Sequence, residues 1–276
     1  MKKKTKILII VGCIVIVGGS LWFANSIYGN PISKKMAKNS AEKYITDIYS
    51  ERDFEIEDVV YSFKDGYYHV KVNSPSSIDT HFEVSMSWNK VVYDSYEDDV
   101  LSGWNTYERI DYDYSKMVDR VFTSPDFPLE SEIDFGSIKL IVDDATFEYD
   151  EPDYGVKLKE LEVDKRYDIK KLVETKGHIT FYAQDDDISF TKASELLLIV
   201  KDSLDEANVP FYAIDFVLEK PRTSEGIPNE DDTSIRTANF LYEDIYEDGL
   251  TERIEKAHDE LMKYYREQDE KLKNEE

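Results

Sequence analysis

Thr80-His81-Phe82-Glu83-Val84-Ser85-Met86-Ser87-Trp88 sets the reading of this chain. Phe82, Val84, Met86 and Trp88 fall on one side of an extended backbone, and His81, Glu83, Ser85 and Ser87 on the other. That period of two is the pattern of a half-buried strand. The flanking stretches continue it. Phe54 to Phe63 runs into Lys64-Asp65-Gly66, a hairpin-type turn, and out through Tyr67 to Asn73, while Asn89-Lys90 turns into Val91 to Tyr96. Upstream, Asn30-Pro31 opens a helix in which Ala37, Ala41, Tyr44, Ile45 and Ile48 recur at helical spacing through about Ser50. A helix with one apolar face followed by an antiparallel meander predicts an α+β module whose sheet is covered on one side by that helix. Trp104 to Phe122 predicts a further helix, which closes this first module at residues 31–122.

Residues 123–136, with Pro125 and Pro128, read as an interdomain linker, and residues 137–276 as a second α+β module. In it Ser137 to Val142 predicts a strand, Asp168 caps a short helix ending at Gly177, and His178 to Ala183 predicts another strand. Thr191 to Ala207 predicts a helix with Ala193, Leu196, Leu197, Val200 and Leu204 facing inward. Phe211 to Leu218 and Ser234 to Tyr242 predict strands, with a polar loop at Pro221 to Thr233. An amphipathic helix from Leu250 to about Gln268 ends the fold. Phe181-Tyr182-Ala183 and Phe211-Tyr212-Ala213 repeat one tripeptide, as two neighbouring core strands of similar composition would. The expected class is α+β: an N-terminal transmembrane helix, then two small modules of helices packed on antiparallel sheets.

Over 276 residues, 34 Lys and Arg face 59 Asp and Glu, a formal net charge of -25. A hydrophobic fraction of 41% with 13% aromatics is too rich for a disordered acidic chain, so a folded core is feasible. The acid excess excludes DNA or RNA as a default partner, because phosphate binding needs a basic face. The N-terminus stands apart. Lys2, Lys3, Lys4 and Lys6 precede Ile7 to Ala24, where 18 positions carry no charge. As a helix this run spans about 27 Å, close to the hydrocarbon thickness of a bilayer. Trp22 and Tyr28 fall at the far interface. The lysines mark residues 1–6 as cytoplasmic, 7–28 as the anchor and the rest as extracytoplasmic.

Two alternatives are weaker. A cleaved signal peptide needs an A-x-A-like site, of which Trp22-Phe23-Ala24-Asn25-Ser26 is a poor version. A lipobox ending at Cys13 has only five apolar residues, Ile7 to Val11, before Gly12, and apolar or small residues continue past it. Cys13 is the chain's only cysteine, so the exported part has no intramolecular disulfide and no zinc-thiolate site.

Several of these segments match a known family. The lysine-tagged helix running into Tyr28-Gly29-Asn30-Pro31, the Ala41-Glu42-Lys43-Tyr44 helix, Gly66-Tyr67-Tyr68 and Thr80-His81-Phe82 resemble the YfjL-like proteins of Bacillus relatives. Gly177-His178-Ile179-Thr180-Phe181-Tyr182 and Val209-Pro210-Phe211-Tyr212-Ala213 are similar to their C-terminal part. The resemblance implies a membrane-anchored, extracytoplasmic protein of a Gram-positive bacterium and carries no activity or site residue with it. The helix-then-meander module also loosely resembles PepSY-type domains, some of which restrain proteases.

No reaction is written in the motifs. His69, His81, His178 and His258 are far apart in sequence, and no H-E-x-x-H, G-x-S-x-G or Walker pattern occurs. Ser189-Phe190-Thr191-Lys192 matches S-x-x-K but lacks its companion motifs, and Ser189 is better placed to cap the next helix. Acidic runs occur at Glu97 to Asp99, Asp143-Asp144, Asp150 to Asp153, Asp185-Asp186-Asp187 and Glu230 to Asp232. Asp244, Asp248 and Glu255, around Gly249, match positions 1, 5 and 12 of a calcium loop, although Tyr246 stands at position 3. Asp185, Asp186 and Asp187 are the other candidate cation ligands, Ca²⁺ being the only cofactor in view. The expected role is binding, sensing or inhibition at the outer membrane face, with a basic protein or peptide as partner. A cell-envelope hydrolase using paired carboxylates is the alternative, and a Ca²⁺-binding surface protein the third.

Overall fold

The computed structural model describes residues 3–141, 154–223, 225–227, 229 and 233–275. It divides into two compact units, Met1–Thr106 with Glu162–Asp164, and Tyr107–Leu161 with Lys165–Glu276. Each has one helix-covered, four-stranded sheet, so the α+β class holds.

In the first unit, helix α1 (Lys3–Tyr28) is followed directly by α2 (Pro31–Ile48). Among the described residues α1 is the helix long and apolar enough to cross a membrane. Its Val15, Ile16 and Val17 expose 67, 70 and 57% of their surface. Asn30 caps α2, its Oδ1 accepting from Ser33 N at 2.8 Å, and Pro31 occupies the first turn. Strands β1 (Glu55–Tyr61), β2 (Tyr68–Asn73), β3 (His81–Ser87) and β4 (Lys90–Asp94) form an antiparallel meander in chain order. Ala37, Ala41 and Ile45 of α2 pack on Val59, Tyr68, Val70, Val72, Phe82, Val84 and Met86, the alternate residues that period two assigns inward. Trp88 departs from that alternation. It sits in the turn after β3 with φ +59° and is 69% exposed.

The second unit begins with α3 (Trp104–Phe122), whose residues from Tyr107 onward belong to it. Ile110, Tyr114, Val118, Val121 and Phe122 of this helix lie in the second core, not the first. The expected module boundary at 122 therefore moves back to Thr106. The expected 123–136 linker is part of the fold as well. Phe127 and Leu129 pack on the core, and β5 (Asp134–Ile138) begins inside that segment. The strand expected at Ser137 to Val142 thus lies earlier, and Val142 is outside the described residues.

Helix α4 (Ile169–Lys176), capped by Asp168, leads into β6 (Gly177–Gln184). Helix α5 (Phe190–Glu206), β7 (Ala213–Glu219), β8 (Ser234–Leu241) and α6 (Leu250–Glu275) follow. The sheet order is β5-β6-β7-β8, and β6 pairs with β7 in parallel, Phe181 opposite Phe216. This sheet is mixed where an antiparallel one was expected. The 17 residues of α5 form the crossover that a parallel pair requires. The repeated tripeptides are not in register, since Ala213 faces His178. They are adjacent core strands of similar composition.

Candidate functional site

Two histidine clusters, neither evident from sequence spacing, are the groups with reactive character. On the open face of the first sheet a cross-strand row runs Val60, His69, Ser85, Tyr93. His69 Nδ1 lies 3.1 Å from Ser85 Oγ and 3.4 Å from Glu83 Oε2, and its Nε2 3.0 Å from Asp65 Oδ2. The tight turn Lys64-Asp65-Gly66 brings Asp65 back over the ring, and the Tyr67 N–H holds that carboxyl below its ordinary range. The residue types are those of a serine triad, but the surroundings differ. Ser85 sits mid-strand between two ladders and is buried at 6% exposure. No turn or helix N-terminus beside it presents paired N–H donors to an oxyanion.

In the second unit, His178 of β6 is fully buried. Tyr154 Oη lies 2.9 Å from Asn239 Oδ1 and 2.5 Å from His178 Nδ1. Nε2 lies 3.0 Å from Asp215 Oδ2 without the alignment of a hydrogen bond. Asp215 of β7 also accepts from Asn239 N at 2.7 Å, and Asn239 holds φ +51° where β8 slips register against β7. Burial pushes the His178 imidazole below its usual pKa, against the pull of Asp215. Burial opposes ionisation of Asp215 too. The His178 contact, the Asn239 N–H and the charge of Lys139 outweigh it and hold the carboxyl low. The result is an imidazole held toward its neutral form beside a carboxylate, the ring buried and the carboxylate side chain 33% exposed. A perturbed His–carboxylate pair is a hallmark of catalytic sites, yet a substrate has no access to this ring.

The carboxyls pushed upward are structural. Burial raises Asp111 and Asp134. Asp111 Oδ1 accepts from Ile138 N at 2.6 Å and fixes β5 to α3, while Asp134 bonds Ser131. In the first unit Asp94 Oδ2 accepts from Tyr44 and Tyr49 at 3.0 and 2.8 Å. Burial and that carboxylate push Tyr44 up to about 12.

The expected calcium ligands do not converge. Around Asp244 and Asp248 the loop turns its carbonyls inward, but the cation they meet is internal. Arg253 donates to the carbonyls of Asp244, Tyr246 and Asp248 at 2.9, 2.5 and 2.7 Å, and its guanidinium stacks on the Tyr246 ring at 3.6 Å. Glu255 lies beyond it, exposed on α6. At the second candidate, Asp185 Oδ1 accepts from Asp187 N at 2.8 Å, Lys192 Nζ approaches Asp185 at 3.9 Å, and Lys220 Nζ donates to the Asp186 carbonyl at 2.6 Å. Among the described residues no three His, Cys, Asp or Glu side chains form a metal-binding group. The runs at Asp143-Asp144, Asp150 to Asp153 and Glu230 to Asp232 lie outside the described residues. Ser189 of the S-x-x-K segment is the N-cap of α5, accepting from Lys192 N at 3.2 Å.

Comparison with known families agrees with the two-unit division. The description "YfjL-like, N-terminal domain" matches residues 2–95, and "YfjL-like C-terminal domain" matches residues 113–255. The chain belongs to the YfjL-like family. The second match begins inside α3, so the family match places the second half of that helix with the C-terminal domain, in line with the packing of Tyr114, Val118, Val121 and Phe122. No curated protein and no solved structure matches this YfjL-like chain.

Proposed function

We propose that this YfjL-like protein is a single-pass, membrane-anchored module, N-terminus in the cytoplasm and both folded units outside, that binds, senses or restrains a partner without chemical turnover. The observation that carries the reading is α1. Its Val15, Ile16 and Val17 are exposed, its run of 18 uncharged residues matches a bilayer, and the lysines at 2, 3, 4 and 6 stand before it. Setting those four lysines aside takes the net charge of the rest from -25 to -29. Apart from Lys34, Lys35 and Lys38 just past the anchor, such a surface is repelled by anionic wall polymers and headgroups, and it attracts a basic protein or peptide.

The non-catalytic reading is supported by the histidine clusters. His178 is enclosed, and Ser85 is buried within the sheet between paired strands, at the register shift of β3 against β4. An envelope hydrolase with paired carboxylates needs an acid of raised pKa facing a second carboxylate across a cleft. Among the described residues, the two carboxyls that burial raises instead hold β5 in place.

Two measurements on intact cells test the reading. External protease should cut the C-terminal part, and crosslinking followed by mass spectrometry should recover one basic or membrane protein in preference to others. A C-terminal part that survives protease while a surface control is cut would reverse the topology and remove the proposed role.

A further inference from the structure

The anchor and the first sheet meet without a spacer. Gly29 links α1 to α2 with φ +67°, and a Cβ there would stand 2.6 Å from Tyr68 Oη and 2.8 Å from Tyr61 Cγ. The Tyr61 and Tyr68 rings pack at 5.0 Å, Asn30 N donates to Tyr68 Oη at 2.9 Å, and Tyr61 Oη reaches the Ser26 carbonyl at 3.4 Å. These contacts clamp the end of the anchor to the β1–β2 hairpin. Beside the clamp is a groove of about 580 Å³ lined by Tyr28, Pro31, Lys34, Asp58, Val60 and Tyr61, among others. Lys34 Nζ lies 3.4 Å from Asp58 Oδ1, with both side chains half-exposed.

We propose that this groove receives the phosphate-bearing headgroup of a phospholipid, so that the β1 edge of the first unit rests on the bilayer surface. The proposal rests on the anchor reading above and adds a defined contact to it. Depth is the first argument. If hydrocarbon ends near Ala24, Ile27 to Gly29 lie about 5–7 Å further along the helix, within a headgroup layer of similar thickness. Because the clamp is short and Gly29 packs closely against Tyr61 and Tyr68, the groove is held at that depth and not on a swinging tether. The lining is the second argument. Tyr28 is 80% exposed and Val60 43%, an apolar rim beside a lysine, and Ile32, outside the groove lining on the first turn of α2, is 74% exposed. Tyrosine and lysine with buried stems suit the interface between tails and water. Lys34 meets the phosphate, Lys35 and Lys38 add positive charge on the same helix, and Asp58 faces the donor end of the headgroup.

The test uses the full chain with Cys13→Ser in nanodiscs of phosphatidylethanolamine and phosphatidylglycerol. Single nitroxide labels are placed at Val17→Cys, Val60→Cys and Val92→Cys, and depth is read from collisional accessibility. A label at Ile32→Cys checks that a probe filling the groove does not itself set the result. The expected depths are hydrocarbon for 17, headgroup for 60 and 32, and water for 92. Lys34→Glu should move the label at 60 outward to the value at 92 and leave 17 in place. Labels at 60 and 32 as accessible as 92, with 17 still in hydrocarbon, overturn the groove assignment alone. A water-exposed label at 17 overturns the anchor reading and this proposal with it.

Discussion

Adding one methyl group at Gly136 probes the reassignment of α3 to the second core. Gly136 lies mid-way along β5, where a Cβ would collide with Val118 Cγ2 and stand 2.9 Å from Val118 Cβ and 3.2 Å from Tyr114 Cε1. Non-bonded carbons rest at about 3.5–4.0 Å, so β5 and α3 must separate by roughly 1 Å or Val118 must leave its rotamer. Overpacking of this kind costs about 1–3 kcal/mol. Val118→Ala alone deletes two buried methyls, about 1.6 kcal/mol of transfer free energy plus a cavity contribution. In the double variant the closest clash is gone while the Cβ and Tyr114 contacts persist. Its destabilisation should therefore fall short of the sum of the singles by about 1 kcal/mol or more, a coupling expected only for residues in contact. Hydrogen exchange on the full-length protein in detergent micelles reads the effect by segment. Gly136→Ala should speed exchange of β5 and β6 roughly 5- to 150-fold and leave β2 and β3 unchanged. Additive effects in the double variant, or a loss of protection in β2 and β3, would refute the packing of α3 on β5.

Other expectations follow from the clusters and caps. Because burial holds the folded pKa of His178 below the unfolded value of about 6.5, the unfolded chain binds more protons just below that pH. The second unit should hold its full stability above pH 6.5 and lose it on acidification, by at most about 1.4 kcal/mol per pH unit from this group. A thermal melt series from pH 7.5 to 5 measures it, and His178→Gln should flatten the slope. Gly29→Ala meets both a left-handed backbone, worth about 1–2 kcal/mol, and the two tyrosines. Exchange at the amides of Ser33 and Lys34 should quicken while β7 is unaffected. Arg253→Gln removes the internal cation from three carbonyls, so exchange across 244–249 should rise. In the unsubstituted protein millimolar Ca²⁺ should raise Tm no more than matched Mg²⁺ does, and a calcium-specific rise would mean that the loop can exchange Arg253 for a metal.

Much of this fold was legible because its strands obey local rules. The Thr80 to Trp88 alternation places Phe82, Val84 and Met86 inward, and all three are buried. Asn30-Pro31 and Ser189 mark helix starts through hydrogen bonds made within three residues. Trp104 to Phe122 was legible as a helix, but its apolar face names no partner. Tyr114 and Val118 would suit either sheet by period alone, and what assigns them is the bare Cα of Gly136, a contact 18 residues away from Val118. Proline misled in the neighbouring segment. Pro125 and Pro128 signal irregular backbone, which is correct, but irregular backbone can still be core, as Phe127 packed tilted on Phe122 and edge-on to Phe181 shows. The parallel pairing of β6 and β7 was within reach, since a 17-residue helix between two apolar runs is a crossover and not a hairpin.

The histidine clusters resisted for a different reason. His69 and Ser85 are separated by 16 residues and become neighbours only through the β2–β3 register, which a one-residue slip would abolish. His178 and Asp215 are brought together by the parallel pair, and Asn239 by a slip in β8 that places it left-handed beneath Asp215. None of these is a spacing that a linear motif can encode. Charge density is a weak guide of another kind. The acidic runs admit a cation as the third reading, but carboxylates at -25 net charge are abundant enough to gather anywhere, whereas a site needs convergence. At Asp244 to Asp248 convergence does occur, made by backbone carbonyls, and Arg253 fills it from four residues past Gly249. An arginine placed to reach back over its own helix N-terminus therefore argues against a metal loop more strongly than the nearby aspartates argue for one. The same test applies to any acidic turn in this family: where the arginine is replaced by a neutral residue, the inward carbonyls lose their cation and a divalent ion becomes the chemically reasonable substitute.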